Sequence, residues 1–295
     1  MSAQAALPWR HAALAVAIMA IWGSNFVVMK LGLAHLPPLL FAGLRFLFNV
    51  APAIFFIPRP PVPWRDLAAY GLLIGVGQFG LVFFALDGYI TPGLASLVIQ
   101  MQVFFTIGLA MRINDERLRP MQGLALGLAA SGLVLIGAHT DAQTSVAGLL
   151  LTLAAALCWA CANMVARRAG RVDMLGYVVW SSLFAVPPLF ALSLIAEGPA
   201  AILRGVEQAD AATWVAVFWQ SVGNSLFGYA AWAWLLARHP AALVSPMALL
   251  VPVFGLATAA LWIGEPLPVW KLAATALVLG GLALNLLEPL LRRGR

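Results

Sequence analysis

Charge is the scarcest resource in this sequence. Asp, Glu, Lys and Arg make up 9% of 295 residues, against 63% hydrophobic residues. A soluble domain carries roughly a quarter charged residues, so this chain cannot coat a water-facing surface of its size. Most of its surface must face lipid, and the mean hydropathy of +0.94 agrees. Cysteine is nearly absent as well. Cys158 and Cys161 stand three apart in one apolar run. Two such residues on one helix are poorly placed to bridge, so they give no disulfide and no redox compartment. A redox C-x-x-C needs an exposed helix start, which this run lacks. No Walker motif occurs, so ATP is not the driver. Residues 12–29 are too long for a typical signal-peptide core and lack an evident cleavage site; they read as a first membrane helix.

A membrane helix needs about 20 mostly apolar residues. Ten such spans are expected, near 11–31, 37–57, 67–87, 92–111, 120–138, 147–167, 174–196, 212–237, 241–263 and 268–287. Pro, Gly and charge punctuate the short connections. Only 197–211 has room for a little structure outside the bilayer, a short interfacial helix. Backbone groups in lipid must be satisfied within their own segment, so long apolar runs become helices.

Lys and Arg orient the chain. With the N-terminus inside, Arg10, Arg59, Arg65, Arg112, Arg117, Arg119, Arg167, Arg168, Arg171, Arg238, Arg292, Arg293 and Arg295 share one side. Lys30, Arg204 and Lys271 fall on the other, and Arg45 lies within the second span. Both ends are therefore expected in the cytoplasm. The net charge of +6 is a membrane-orientation signal, and nucleic acid is not an expected partner.

The chain also repeats itself. A shift of 149 residues aligns Ser96 with Ser245, Phe105 with Phe254, Glu116 with Glu265, Leu118 with Leu267 and Gly132 with Gly281. Trp22 with Trp159 and Asn25 with Asn163 need shifts of 137 and 138. The expected architecture is all-α and integral to the membrane: ten transmembrane helices as two inverted five-helix repeats, residues 1–143 and 144–295, around a central cavity. Five is odd, so the second unit enters from the opposite side. Inverted repeats are widespread among transporters, whose halves rock about a midplane site.

These stretches resemble the EamA family of the drug/metabolite transporter superfamily over nearly the full chain. They are Ile21-Trp22-Gly23-Ser24-Asn25-Phe26, Ala42-Gly43-Leu44-Arg45-Phe46, Gly93-Leu94-Ala95-Ser96-Leu97, Trp159-Ala160-Cys161-Ala162-Asn163, Leu250-Val251-Pro252-Val253 and Gly264-Glu265-Pro266-Leu267. The resemblance implies a bacterial inner-membrane exporter of amino acids and cysteine-pathway metabolites, or an aromatic amino acid exporting relative. One departure is Asn114-Asp115-Glu116-Arg117, where the family usually has Gly-Glu after its fourth helix.

Polar side chains at membrane depth need a partner or water, so each is either helix glue or cavity lining. The candidates for substrate contact are Trp22, Asn25, Arg45, Gln78, Ser96, Gln100, Trp159, Asn163, Asn224, Tyr229 and Ser245. Trp22, Asn25 and Met29 share one face of the first span, and Trp159 and Asn163 one face of the sixth. Such a lining suits a small amphipathic solute. Aromatics stack on its apolar part, amides pair with a carboxylate or an ammonium, and Arg45 or Lys30 attracts the carboxylate. For Lys30 the competing role is snorkelling to the outer surface. All eleven acids lie in loops or at span ends. Transport is therefore expected to follow the solute's own gradient, or exchange, without a carboxylate relay.

Small-residue spacings at Gly71/Gly75 and Gly123/Gly127 are expected to let helices approach closely. Pro187-Pro188, Pro246 and Pro252 are expected to break the seventh and ninth spans, and Gly75-Val76-Gly77 is a candidate hinge. The leading function is a secondary transporter that exports amino acids and related metabolites by alternating access. Alternatives are a broad drug/metabolite efflux carrier, for which cations would want an anionic site, and an integral-membrane enzyme, for which no clustered nucleophile and base is in view. The expected partners are a small-molecule substrate and the lipid bilayer. No cofactor or metal is expected. The oligomeric state stays open, a monomer included.

Overall fold

A computed structural model describes residues 7–114, 120–141, 143–170 and 172–293. Asp115, Glu116, Arg117, Leu118, Arg119, Arg171 and Arg295 lie outside the described residues. Every regular element among the described residues is helical. We number them α1 (Trp9–Gly32), α2 (Pro38–Val50), α3 (Trp64–Leu86), α4 (Pro92–Arg112), α5 (Pro120–Gly137), α6 (Val146–Arg168) and α7 (Met174–Ala196). There follow a short α8 (Pro199–Gln208), α9 (211–238), α10 (Ser245–Ile263) and α11 (Val269–Arg293). Nine helices among the described residues are long and apolar enough to cross a membrane. α9 is as long but falls outside that set, because Gln220, Ser221, Asn224 and Ser225 lower its hydropathy. The short helix α8 sits where an interfacial helix was expected.

Local signals explain the boundaries. Pro38, Pro92 and Pro199 occupy first-turn positions, where a missing N–H costs nothing. Ser145 accepts the Gly148 N–H at 3.1 Å, and Asp173 accepts the N–H groups of Leu175 and Gly176; both are N-caps. Asp210 caps the start of α9. The Thr213 N–H and hydroxyl, each 2.8 Å away, hold its carboxyl below the usual range. Gly264, at φ 67°, ends α10 in the left-handed conformation, which a residue without Cβ adopts freely.

Two helices depart from α geometry at matching places. α3 is π-helical over Leu72–Gly80 and α9 over Trp219–Phe227, the same offset of 147 residues at both ends. α4 tightens to 3-10 over Ile99–Met101, and α10 does so over Ser245–Leu249. In contrast, α7 runs unbroken through Pro187 and Pro188, so the break expected there is corrected. Neighbouring helices can re-satisfy the backbone groups that proline frees. Pro246 does fall in the 3-10 stretch, whereas Pro252 lies in the first turn of α-helix that follows, where a proline is tolerated.

The helices pack in pairs: α1 along α10, α2 along α7, α4 along α6, and α5 along α11. α3 lies on α6 and α7, and α9 lies on α1 and α2. Close approach is achieved by missing side chains. A Cβ at Gly71 would meet the Ser181 carbonyl at 2.0 Å, and one at Gly75 the Ala185 Cβ at 2.2 Å. The same contact was expected at Gly127, but a Cβ there would meet nothing within 4 Å among the described residues; that helix face is open. Apolar side chains cover the outside, among them Val134, Ile195, Val215, Phe218, Leu261 and Val269. They suit acyl chains.

Candidate functional site

The polar interior is centred on Arg45. α2 carries it to 1% exposure, with Asn49 one turn on, also at 1%. Its Nη2 donates to Ser225 Oγ at 2.9 Å. Its guanidinium carbon lies 3.4 Å from the Phe79 ring centroid and 5.4 Å from that of Phe46. Nε and Nη1 have no hydrogen-bond partner among the described residues. A buried guanidinium normally keeps a carboxylate; none among the described residues lines this space. Its walls are Asn49, Tyr70, Ser181, Ser182, Ser225 and Tyr229 around Arg45 and Phe79. The space is ≈ 10 Å³, room for about one water. The space is narrow around its charge.

The two π-helical stretches build this centre. A π turn is often found at functional sites. In α9 it turns Gln220, Ser221, Asn224 and Ser225 inward while Trp219, Val222 and Phe227 stay exposed. Ser221 donates to the Arg45 carbonyl at 2.9 Å, and Gln220 donates to the Asn25 carbonyl at 3.4 Å. In α3 the π stretch supplies Phe79 and the buried Gln78. The Trp22 indole donates to the Asn224 carbonyl at 3.1 Å and packs on Tyr229 and Trp232. Asn25 donates to Met29 Sδ at 3.6 Å. Four buried carbonyl oxygens have no donor among the described residues: Asn25 Oδ1, Asn49 Oδ1, Gln78 Oε1 and Gln220 Oε1.

The expected residues therefore divide. Arg45 and Tyr229 line the central space. Trp22, Asn25 and Asn224 lie on its α1/α9 side, and Gln78 is buried in α3 beside Phe79. Asn163 instead donates to Gln102 Oε1 at 3.0 Å and Thr106 Oγ1 at 3.3 Å on α4, and Trp159 packs on the main apolar cluster. Ser96 donates to the Gly93 carbonyl at 2.7 Å and faces Gly255. Gln100 is buried in the 3-10 turn of α4, and Ser245 is half-buried at the start of that in α10. Asn49, Gln220 and Ser225 were not singled out from sequence. The i, i+4 spacing of Arg45 and Asn49, and of Gln220 and Asn224, was the available signal.

A second polar cluster lies at the start of α4. Glu265 accepts from Lys271 Nζ at 2.9 Å, from Thr91 Oγ1 at 2.6 Å and from the Gly93 N–H at 2.9 Å. Both ion-pair side chains are at most 4% exposed. Beside it opens a space of ≈ 570 Å³ lined by Lys30, Thr91, Gln143 and Glu265. Lys30, half-buried, lines that space, and its Nζ donates to the Leu86 carbonyl at 2.9 Å, at the last turn of α3.

A buried polar centre among membrane-crossing helices, with an open space at one end, suits a multi-pass membrane carrier. The chain belongs to the EamA-like transporter family, whose pattern matches residues 9–138 and again 146–287; it is a transporter rather than an enzyme. It is 42% identical over 286 residues to a Salmonella typhimurium protein named "Probable amino-acid metabolite efflux pump", covering 95% of this chain and 96% of that one. An Escherichia coli protein of the same name is 40% identical over 278 residues, covering 92% and 93%. A solved structure titled "Crystal structure of protein" superposes with a TM-score of 0.61 at 21% identity, covering 95% of this chain and 97% of that chain, which shows the same fold.

Proposed function

We propose that this protein is a secondary exporter of amino acids and related small metabolites, working by alternating access in a bacterial inner membrane. The observation that carries this reading is the Arg45 centre. It is a buried cation with no carboxylate lining its space among the described residues, walled by hydroxyls and the unpaired amide oxygen of Asn49, at the junction of α2, α3, α7 and α9. Polar groups sealed inside a lipid-facing bundle are expensive, and a solute that pairs with them accounts for their presence. The names of the Salmonella and Escherichia relatives point to the same solute class.

In this reading α1–α5 and α6–α11 are two inverted five-helix repeats, with α9 as the tenth crossing helix and α8 outside the membrane. Three observations support it. The family pattern matches twice along the chain. The π and 3-10 irregularities recur at matching offsets. Packing partners also exchange between halves: α1 with α10 mirrors α6 with α4, and α9 with α2 mirrors α3 with α7. Both termini are cytoplasmic, from the Arg distribution. The substrate's own gradient drives export, since no acid lines the Arg45 space among the described residues. A cation efflux carrier is disfavoured, because its cargo would meet a guanidinium.

The test is counterflow. Purified protein in liposomes preloaded with unlabelled amino acid should accumulate the labelled one with no ATP and no ion gradient. Strict dependence on an imposed proton gradient would contradict the driving force, and no accumulation of any amino acid or derivative would contradict the function.

A further inference from the structure

The unpaired groups at the centre are not a random set. The donors left over belong to Arg45, at Nε and Nη1. The acceptors left over include the side-chain carbonyl of Asn49, in the same small space and on the same face of α2 one turn away. Residues four apart stand on one helix face, so both side chains reach the same space, where the two charged ends of an α-amino acid would meet them. A carboxylate offers acceptors to the free guanidinium N–H groups, and charge-assisted bonds of this kind are the strong ones. An ammonium offers three donors and no acceptor, which an orphan amide oxygen lacks.

Resting on the transport reading above, we propose that Arg45 and Asn49 together read the zwitterion. Arg45 takes the α-carboxylate and Asn49 Oδ1 takes the α-ammonium, so the cargo class is compounds that keep both groups free. The Ser225 hydroxyl fixes the guanidinium through Nη2. The guanidinium carbon sits over the Phe79 ring. The uncharged walls of the space include the aromatic Phe46 and Phe79, the small Gly71 and the aliphatic Ile74. They impose no charge on the side chain of the cargo. Selectivity is therefore strict at the α-carbon and loose beyond it.

The experiment is competition against counterflow of labelled alanine, cysteine and phenylalanine by the full-length reconstituted protein. Competitors are each parent amino acid, its amide, which lacks the carboxylate, and its N-acetyl derivative, which lacks the ammonium. For the wild-type protein both derivatives should compete at least about tenfold more weakly than the parent. Asn49→Ala should weaken the parent about tenfold and leave the N-acetyl derivative unchanged. Arg45→Lys should retain part of the discrimination against the amide, and Arg45→Gln should abolish it. Amides or N-acetyl derivatives that compete as well as the parent in the wild-type protein would overturn the proposal while leaving amino acid transport intact. That arm needs no variant to fold. Absence of counterflow for all three amino acids would overturn both readings together.

Discussion

The guanidinium carbon of Arg45 lies over the ring of Phe79, 3.4 Å from its centroid. In a site without a carboxylate among the described residues, that ring is the main counterweight to a buried charge. A desolvated cation–π contact is worth about 2 kcal/mol or more. Phe79→Leu should lower the melting temperature of the purified protein by several degrees, whereas Phe79→Trp, which keeps a π face, should lower it less. Equal losses in the two variants would mean that Phe79 acts by volume alone.

Glu265 and Lys271 are a buried pair whose members depend on each other. Removing one partner leaves a charge without compensation, at a cost of about 3–5 kcal/mol. Glu265→Gln and Lys271→Met should each destabilise strongly. The double variant should be more stable than the sum of the single losses predicts, a coupling that thermal melts of the four proteins measure.

The contact of α3 with α7 leaves no room at Gly71 or Gly75. Gly75→Leu drives a side chain into Ala185, and overpacking of this kind costs about 1–3 kcal/mol. The expected result is a lower melting temperature together with reduced counterflow, because the Phe79-bearing π stretch begins at Leu72. Gly127→Ala, at an open position, should change neither.

Trp22 and Asn163 separate by location. Trp22 bonds to the π stretch of α9 and packs on Tyr229, which lines the central space. Asn163 ties α6 to α4. Trp22→Ala should slow transport and alter the preference among amino acids. Asn163→Ala should cost about 1 kcal/mol of stability with preference unchanged. Counterflow with a mixed amino acid panel separates the two effects.

Much of this was legible in the sequence. Apolar run lengths placed the helices, because hydropathy in a bilayer leaves few alternatives. Arg45 stood out as a cation inside a span, and Glu265 and Gly281 stood out through the repeat. The pairing of Trp22 and Asn25 with Trp159 and Asn163 around one cavity was the weaker inference. A shared residue type does not fix a shared partner, and Asn163 found Gln102 and Thr106 on α4 instead. Gln220 and Ser225 were missed because the π geometry of α9 decides which of its residues turn inward, and Asn49, on α2, was missed because its i, i+4 spacing from Arg45 was not weighed. A π turn shifts the facing of a helix by a fraction of a turn, and periodicity of 3.6 does not anticipate it. The continuity of α7 through two prolines was likewise hidden, since it depends on neighbouring helices.

The central claim is that the space beside Arg45 opens to each membrane face in turn. Ser182 lines that space and is 2% exposed. The direct measurement is thiol labelling of Ser182→Cys in reconstituted protein whose two native cysteines, Cys158 and Cys161, have been replaced. A membrane-impermeant maleimide applied from either side alone should label Cys at this position, and transported amino acid should slow labelling from both sides. Labelling from one face only, or none from either face in a protein that still performs counterflow, would contradict the account.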